Sequence, residues 1–238
     1  MEKKKKNVSE FNSDVKANNG YKYTTNASFS SLVSNQRITD EIIKYIPSNV
    51  KSAIDIGCGD GLSANDLKNA YPNIEFTGFD PAFEAIEIAK SKYKQVNFLV
   101  GDLLNPATFP NKKFDVGIIK GVLHHLASAY TGIENSMKLS DKMIIVEPNG
   151  NNPILKMIEK NSQYHIEHEE QSFSSKQLVE WCEKAGYKII KLDYIGFVPF
   201  FFPTFLSKVI YFFQPLLEKI YPIKKYFGAQ IVIFCEKK

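Results

Sequence analysis

An apolar stretch followed by three alternating glycines constrains the fold of this 238-residue chain more than any other feature. The stretch covers Ala53–Ile56 and includes one acidic residue, Asp55, and the glycines follow at positions 57, 59 and 61. Glycine allows a sharp turn, and it lets a ligand approach the backbone without meeting a Cβ atom. The pattern predicts a strand, a tight loop and a helix N-terminus, which together are typical of a nucleotide-cofactor loop.

Short apolar segments alternate with helical segments along the rest of the chain, which predicts an α/β fold with a mostly parallel, doubly wound sheet. The chain is 44% apolar, enough for one core domain, which we place at residues 26–238. A leading amphipathic helix is predicted over residues 36–46, and a later helix is expected to open at Asp80 and Pro81. The predicted strands are Ala53–Ile56, Glu75–Phe79, Asn97–Val100, Asp115–Ile119, Met143–Val146, Lys188–Tyr194 and Gln230–Cys235.

Charge and cysteine content exclude several classes of protein. Residues 1–25 are polar and lysine-rich and predict a disordered basic tail, which carries much of the net charge of +4. The remaining charges nearly cancel, so no nucleic-acid partner is expected. The three cysteines, Cys58, Cys182 and Cys235, are odd in number and lack a CxxC spacing. We therefore expect no disulfide framework, no metal site and a cytoplasmic location.

Two acidic residues follow the next strands and make the glycine pattern more specific. Asp80 lies 21 residues after Gly59, where a carboxylate can accept hydrogen bonds from ribose hydroxyls. Asp102 follows the third strand, where it can accept from an adenine amine while Leu103 packs on the ring. Each has a simpler interpretation, Asp80 as a helix cap and Asp102 as a turn residue. Together they favour an adenosine-bearing cofactor.

The order of these motifs resembles that of class I S-adenosylmethionine-dependent methyltransferases. The resemblance extends over residues 50–150 and is carried by Ile54–Gly61, Gly78–Asp80, Gly101–Asp102, Phe114–Val116 and Val122–Leu126. It implies a Rossmann-like seven-stranded sheet, S-adenosylmethionine as cofactor and methyl transfer as the reaction. It also implies that Asp55 balances the methionyl ammonium. Arg37, on the leading helix, is expected to reach the cofactor carboxylate, with an ordinary surface arginine as the alternative. The residues expected to bind cofactor are Asp55, Gly57, Cys58, Gly59, Asp80, Pro81, Asp102, Leu103, Lys120 and Arg37.

Two other classes of function stay open at this point. NAD(P)-dependent oxidoreductases also combine a glycine turn with an acidic residue about 20 positions later. Against that class, Leu62 occupies the position where their motif has a small residue, and Asp55 stands where they have an apolar one. The second alternative is a methyltransferase-like protein that binds cofactor but acts as a partner or membrane-associated subunit.

Two adjacent histidines, His124 and His125, follow the fourth strand, where the family has its active site. A hydroxyl acceptor needs a base to remove its proton, whereas a neutral amine attacks unaided. The histidines therefore favour O-methylation over N-methylation, with His125 as the preferred base. The alternative is that they cap the next helix or pack under the cofactor. His165 and His168 are interpreted as part of a polar loop rather than a metal site.

An aromatic-rich insertion at residues 195–227 separates the last two predicted strands. Prolines and lysines interrupt it, so it is not expected to span a membrane. It is expected to recognise a small-molecule acceptor that is apolar or lipid-like, as a lid over the site. The alternatives are peripheral membrane contact through residues 197–226 and a dimer interface. Its eight phenylalanines are Phe197, Phe200, Phe201, Phe202, Phe205, Phe212, Phe213 and Phe227.

Overall fold

The computed structural model describes Gly20 and residues 27–161, 171–200 and 202–238. Apart from Gly20, the basic tail predicted at residues 1–25 lies outside these ranges, as does the segment His165–Glu170. The strands are β1 (Ser52–Ile56), β2 (Glu75–Asp80), β3 (Asn97–Val100), β4 (Val116–Lys120), β5 (Lys142–Pro148), β6 (Tyr187–Ile195) and β7 (Gln230–Lys237). The α-helices are α1 (Phe29–Tyr45), α2 (Leu62–Ala70), α3 (Phe83–Lys92), α4 (Ala129–Ser136), α5 (Pro153–Asn161), α6 (Ser175–Lys184), α7 (Thr204–Leu217) and α8 (Tyr221–Phe227).

The seven strands form one sheet in the order β3-β2-β1-β4-β5-β7-β6. The pairs from β3 through β5 are parallel, and β7 runs antiparallel to both β5 and β6. This confirms the predicted seven-stranded, mostly parallel sheet. The strand order reverses at β1, which pairs with both β2 and β4. Ligands of open α/β sheets bind beyond the carboxyl ends of the strands at such a point, so the loops after β1 and β4 define the crevice.

The central strands are buried because helices cover both faces of the sheet. Along β1 and β5, the interior side chains are almost all inaccessible to solvent, which explains their near-continuous apolar sequence. One apolar cluster joins α1, α2 and α3 to one face, and the other joins α4 and α6 to the opposite face. Burial on both faces fixes the register of each strand and hence the position of every loop at its end.

The leading helix α1 begins at Phe29, seven residues before its predicted start. Ser28 caps it, because its side-chain oxygen accepts a hydrogen bond from the Ser31 amide. Ser30 and Ser34 are buried, and their hydroxyls donate to the carbonyls of Phe200 (2.8 Å) and Val198 (2.6 Å). The first turns of the helix were missed because they pack through hydroxyls instead of apolar side chains.

Helix α3 begins at Phe83, with Ala82 as its N-cap, and not at Asp80 and Pro81 as predicted. Asp80 is instead the last residue of β2. One of its carboxylate oxygens accepts from the Ala82 amide at 2.8 Å, so the side chain braces the turn before the helix. The capping prediction was therefore wrong by two residues, although the same carboxylate still supports the approach to the helix.

The insertion between β6 and β7 contains α7 and α8 and emerges at the same edge of the sheet as the glycine loop. Gln230, the first residue of β7, is paired with Pro148 at the end of β5 and with Ile195 at the end of β6. The insertion thus lies beyond the carboxyl ends of the parallel strands. In the ranges that the structure describes, no helix has the length and apolar character needed to cross a membrane.

Candidate active site

The glycine loop after β1 is held in a conformation and a space that suit glycine. Gly57 has a φ of 76° and Gly59 a φ of 55°, both in the left-handed region. A Cβ atom added at Gly57 would overlap a methyl group of Val122, so the loops after β1 and β4 are in close contact. The Gly57 amide donates to the Phe79 carbonyl at 2.7 Å, which ties the loop to β2 as well.

Asp55 presents a buried carboxylate beneath this loop. The residue is 1% exposed, and its Oδ2 has no hydrogen-bond partner among the described residues. Burial raises the pKa of Asp55 to about 6; Asp80 also raises it, while Lys120 opposes the rise. A buried carboxylate oxygen without a donor is costly unless a ligand supplies one. The methionyl ammonium of S-adenosylmethionine is a cationic donor of the required kind.

Asp80 joins the glycine loop to the end of β2. Its Oδ2 accepts from the Gly59 amide at 3.0 Å, and its Oδ1 accepts from the Ala82 amide. Burial raises the pKa of Asp80 to about 6, although these two hydrogen bonds lower it in part. Each carboxylate oxygen has a second lone pair, so the side chain can still accept from ribose hydroxyls. Pro81 follows it and is exposed.

The residues after β3 are divided between the site and the core. The Asp102 carboxylate accepts from the Leu104 amide at 2.8 Å, and its negative charge raises the pKa of Asp80 after the larger effect of burial. Leu103 is 3% exposed and belongs to the apolar cluster that α4 covers. Its carbonyl accepts from the Asn135 side chain at 2.9 Å, a buried contact absent from the sequence-based expectations. Leu103 therefore packs mainly into the core.

Cys58 and Lys120 are two further predicted cofactor residues, and the charge of Asp55 acts on both. The Cys58 side chain is buried, and its sulfur lies against Gly78, so only its backbone lines the loop. Burial lowers the pKa of Lys120, while Asp55 opposes that change. The Lys120 ammonium donates to the Asn35 side chain of α1 at 3.3 Å. Lys120 thus links the carboxylate under the loop to the leading helix.

Arg37 lies on α1 but is engaged away from the glycine loop. Its guanidinium forms a bidentate pair with Glu218, with nitrogen-to-oxygen distances of 2.8 and 2.9 Å. It also pairs with Glu41 at 2.7 Å. Through Glu218, Arg37 joins α1 to the insertion, and its expected contact with the cofactor carboxylate stays a prediction.

The histidine pair is organised by Glu147, a fully buried residue of β5. The Glu147 carboxylate accepts from the amides of Val122 and Leu123 at 2.8 Å each, and from the His124 amide at 3.3 Å. Its Oε2 also lies 2.7 Å from Nδ1 of His124. An ionised carboxylate only accepts, so Nδ1 carries the proton and Nε2 is the basic nitrogen of the ring.

His125 stacks against His124 with ring centroids 3.9 Å apart. As the neighbouring histidine in the same loop, His125 offers the same acid–base chemistry, and the contact with the Glu147 carboxylate described above is made by His124. This contact makes His124 a candidate base, and the preference for His125 stays a prediction. Glu147 was overlooked because a glutamate at the end of an apolar strand gives no sign of what it faces. His165 and His168 lie outside the described residues.

Comparison with known proteins identifies the family. Residues 47–186 match a family model described as a methyltransferase domain. A protein of Invertebrate iridescent virus 6 named as a methyltransferase is 31% identical over 52% of this chain and 46% of its own length. A demethylmenaquinone methyltransferase of Thermotoga maritima is 34% identical over 34% of this chain and 33% of its own length. The chain thus spans less than half the length of these two relatives.

Solved structures show the same fold over most of the chain. A SAM-dependent methyltransferase of Thermotoga maritima superposes with a TM-score of 0.62 and 19% identity. The match covers 86% of this chain and 89% of the other. The family match over residues 47–186 supports a methyltransferase instead of an oxidoreductase, and the superposition shows the same fold. The chain belongs to the methyltransferase domain family of class I, S-adenosylmethionine-dependent enzymes.

Proposed function

We propose that this chain transfers the methyl group of S-adenosylmethionine to a hydroxyl of a small apolar acceptor, with His124 as general base. The observation that carries the proposal is the 2.7 Å contact between Nδ1 of His124 and the buried Glu147. A base placed in the loop after β4 suits a hydroxyl acceptor, because a neutral amine would not require one.

The cofactor would be held at the crevice between the loops after β1 and β4. Asp55 would face its ammonium, Asp80 its ribose hydroxyls and Asp102 its adenine amine. The backbone of Gly57 and Gly59 would line the methionyl chain, since no Cβ intervenes. When bound, S-adenosylmethionine supplies a methyl group that a sulfonium already activates.

His124 would remove the proton of the acceptor hydroxyl at Nε2. Its ring lies beside Gly121, at the carboxyl end of β4, where a Cβ built on that glycine is 3.8 Å from the histidine Cε1. Glu147 would hold the Nδ1 proton and stabilise the imidazolium that forms. The acceptor oxygen would gain the methyl group as the S–CH3 bond breaks and the hydroxyl proton moves to His124, so the positive charge of the sulfonium would pass to the imidazolium.

Hydrogen bonds to Glu147 also hold the loop that carries His124 in place. Three backbone amides donate to the single Glu147 carboxylate, which keeps the imidazole in one orientation and one tautomer. Fixing a base in this way contributes to catalysis because no reorganisation is needed when the acceptor binds.

The test is methyl transfer from labelled S-adenosylmethionine to a panel of phenols, aliphatic alcohols and amines, analysed by mass spectrometry. We expect methyl ethers as products. His124→Gln should slow transfer to hydroxyls by about a hundredfold. Products that are exclusively N-methylated, with equal rates for wild type and His124→Gln, would overturn the proposal.

A further inference from the structure

Helix α7 presents its apolar residues to solvent and its polar residues to the protein. Phe205 and Phe212 are 76% and 78% exposed, whereas Ser207 is fully buried and Gln214 is 6% exposed. A surface helix of a soluble protein has the opposite arrangement, with its apolar stripe toward the core. We call the exposed residues the outer face of α7; they are Phe205, Leu206, Val209, Phe212, Phe213 and Leu216.

Hydrogen bonds on the buried side fix this orientation. The Gln214 side-chain oxygen accepts from the Phe197 amide at 2.9 Å. Glu218, just after the helix, accepts from the Gly196 amide at 2.9 Å and also binds Arg37. Rolling the helix to bury its aromatic side chains would leave these backbone amides and the Arg37 guanidinium without their partners, at a cost that grows with burial. These hydrogen bonds therefore keep the outer face of α7 exposed to solvent.

The inner side of the insertion leaves little room for an acceptor. The cavity between α1 and the insertion, lined by Arg37, Val198, Phe200 and Gln214 among others, has a volume of about 10 Å³. That is space for about one water molecule. Val198 and Phe200 line this small cavity, whereas the outer face of α7 points away from the protein.

The charges around the outer face are positive. Residues 203–227 contain four lysines and one acidic residue, Glu218. Glu218 is turned inward to Arg37, whereas Lys208 and Lys219 are exposed. An apolar face bordered by lysines complements an anionic lipid surface. Two copies of the same face would instead bring like charges together, which disfavours self-association.

We propose that the outer face of α7 binds to the interface of a bilayer that contains anionic lipids. The helix has 14 residues with Pro215 inside it, so it suits a position along the membrane plane. The phenylalanine side chains of the outer face insert at the level of the headgroups, and the exposed Lys208 and Lys219 contact lipid phosphates. Membrane binding does not depend on the proposed methyl transfer. A second idea does rest on the proposed function: the bilayer would deliver an apolar acceptor to the same edge of the sheet.

The test is cosedimentation of the full chain with vesicles of phosphatidylcholine, alone or with one-third phosphatidylglycerol. We expect binding to the mixed vesicles at least tenfold stronger than to phosphatidylcholine alone. The double variant Phe205→Ser, Phe212→Ser should lose at least tenfold in affinity for mixed vesicles. Lys208→Glu with Lys219→Glu should lose the preference for phosphatidylglycerol. Ile190→Ser is the matched control, because Ile190 is a 48% exposed apolar residue of β6 and should leave binding unchanged.

Three results would overturn the proposal. The wild-type chain could stay in the supernatant with both vesicles. Ile190→Ser could weaken binding as much as the double variant. Sedimentation equilibrium could show a dimer that the double variant dissociates, which would assign the outer face to a second copy. Methyl-transfer activity is measured separately, in buffer without detergent or vesicles. A failure of vesicle binding would leave this activity unchanged, so the failure of this proposal can be told from the failure of the proposed function.

Discussion

Oε2 of the buried Glu147 lies 2.7 Å from Nδ1 of His124, while Oε1 accepts from the amides of Val122 and Leu123. A carboxylate is suited to this position because every contact it makes is with a donor. The two strands that bring them together, β4 and β5, are adjacent and parallel in the centre of the sheet. The His124 ring is therefore oriented by the core of the fold.

Replacing Glu147 with glutamine tests the tautomer of His124. The amide oxygen can keep the bonds to Val122 and Leu123, but the amide nitrogen then faces the imidazole and favours the tautomer with Nδ1 unprotonated. The basic nitrogen is lost, so kcat for a hydroxyl acceptor should fall by about a hundredfold. Calorimetry should show S-adenosylmethionine affinity within a few-fold of wild type. His125→Ala is the control and should retain most of the activity.

Removing the Arg37 side chain should loosen the insertion without affecting cofactor binding. The pair with Glu218 is only partly exposed, so Arg37→Ala should lower the free energy of unfolding by about 1–3 kcal/mol. Urea denaturation measures this change. Lys90→Ala breaks the exposed pair with Glu87 and should cost less than about 0.5 kcal/mol. A large loss of S-adenosylmethionine affinity in Arg37→Ala would restore the contact first expected for this residue.

The affinity for S-adenosylmethionine should fall as the pH is lowered through 6. The pKa of Asp55 and that of Asp80 are both raised to about 6, so both carboxylates become protonated as the pH passes below that value. A cationic ligand favours the ionised forms, and affinity should drop by about tenfold per pH unit for each group coupled to binding. Calorimetry between pH 5 and pH 8 measures the slope, and a flat profile would contradict the role of these carboxylates.

The same carboxylates should make the ligand-free protein less stable as the pH rises. Their pKa values are higher in the folded chain than in the unfolded one, so the folded state binds more protons in the window between about 4 and 6. Stability contributed by these groups is present below that window and lost above it. Asp55→Asn should therefore raise the Tm of the ligand-free protein at pH 7 while weakening cofactor binding. A lower Tm with unchanged binding would contradict this account.

Gly57→Ala should disrupt the crevice more than a change at another strained glycine. Gly57 and Gly196 have similar φ values of 76° and 70°, so alanine is strained at both positions, by about 1 kcal/mol. Only at Gly57 does the new Cβ meet Val122; at Gly196 the nearest atom is 3.8 Å away. Thermal unfolding and calorimetry should show that Gly57→Ala loses cofactor binding and Gly196→Ala keeps it. Equal losses would contradict the packing argument.

Short apolar segments were sufficient to predict the strands of the sheet, because strands that are buried on both faces have a nearly continuous apolar sequence. All seven predicted strands are present within a few residues, and Asp55 of β1 and Asp80 at the end of β2 both lie at the glycine loop. These features can be read from local sequence because the apolar residues of each strand and the glycines and acidic residues at its end are neighbours along the chain.

Features that depend on tertiary contacts were not predictable in this way. The role of Glu147 depends on β5 lying beside β4, and the early start of α1 depends on serines bonded to the insertion. The ion pair of Arg37 was not predicted because its partner Glu218 lies 181 positions away. The reversed orientation of α7 follows from hydrogen bonds at Gln214 and Glu218, which no helical periodicity reveals.

The most direct test of the central claim is calorimetric titration of the full chain with S-adenosylmethionine and, separately, with NAD. We predict saturable binding of S-adenosylmethionine and none of NAD. Asp80→Ala should weaken that binding by about a hundredfold, or about 3 kcal/mol, because the Gly59 amide loses its acceptor along with the ribose site. Binding of NAD, or an affinity for S-adenosylmethionine that Asp80→Ala leaves unchanged, would contradict the account.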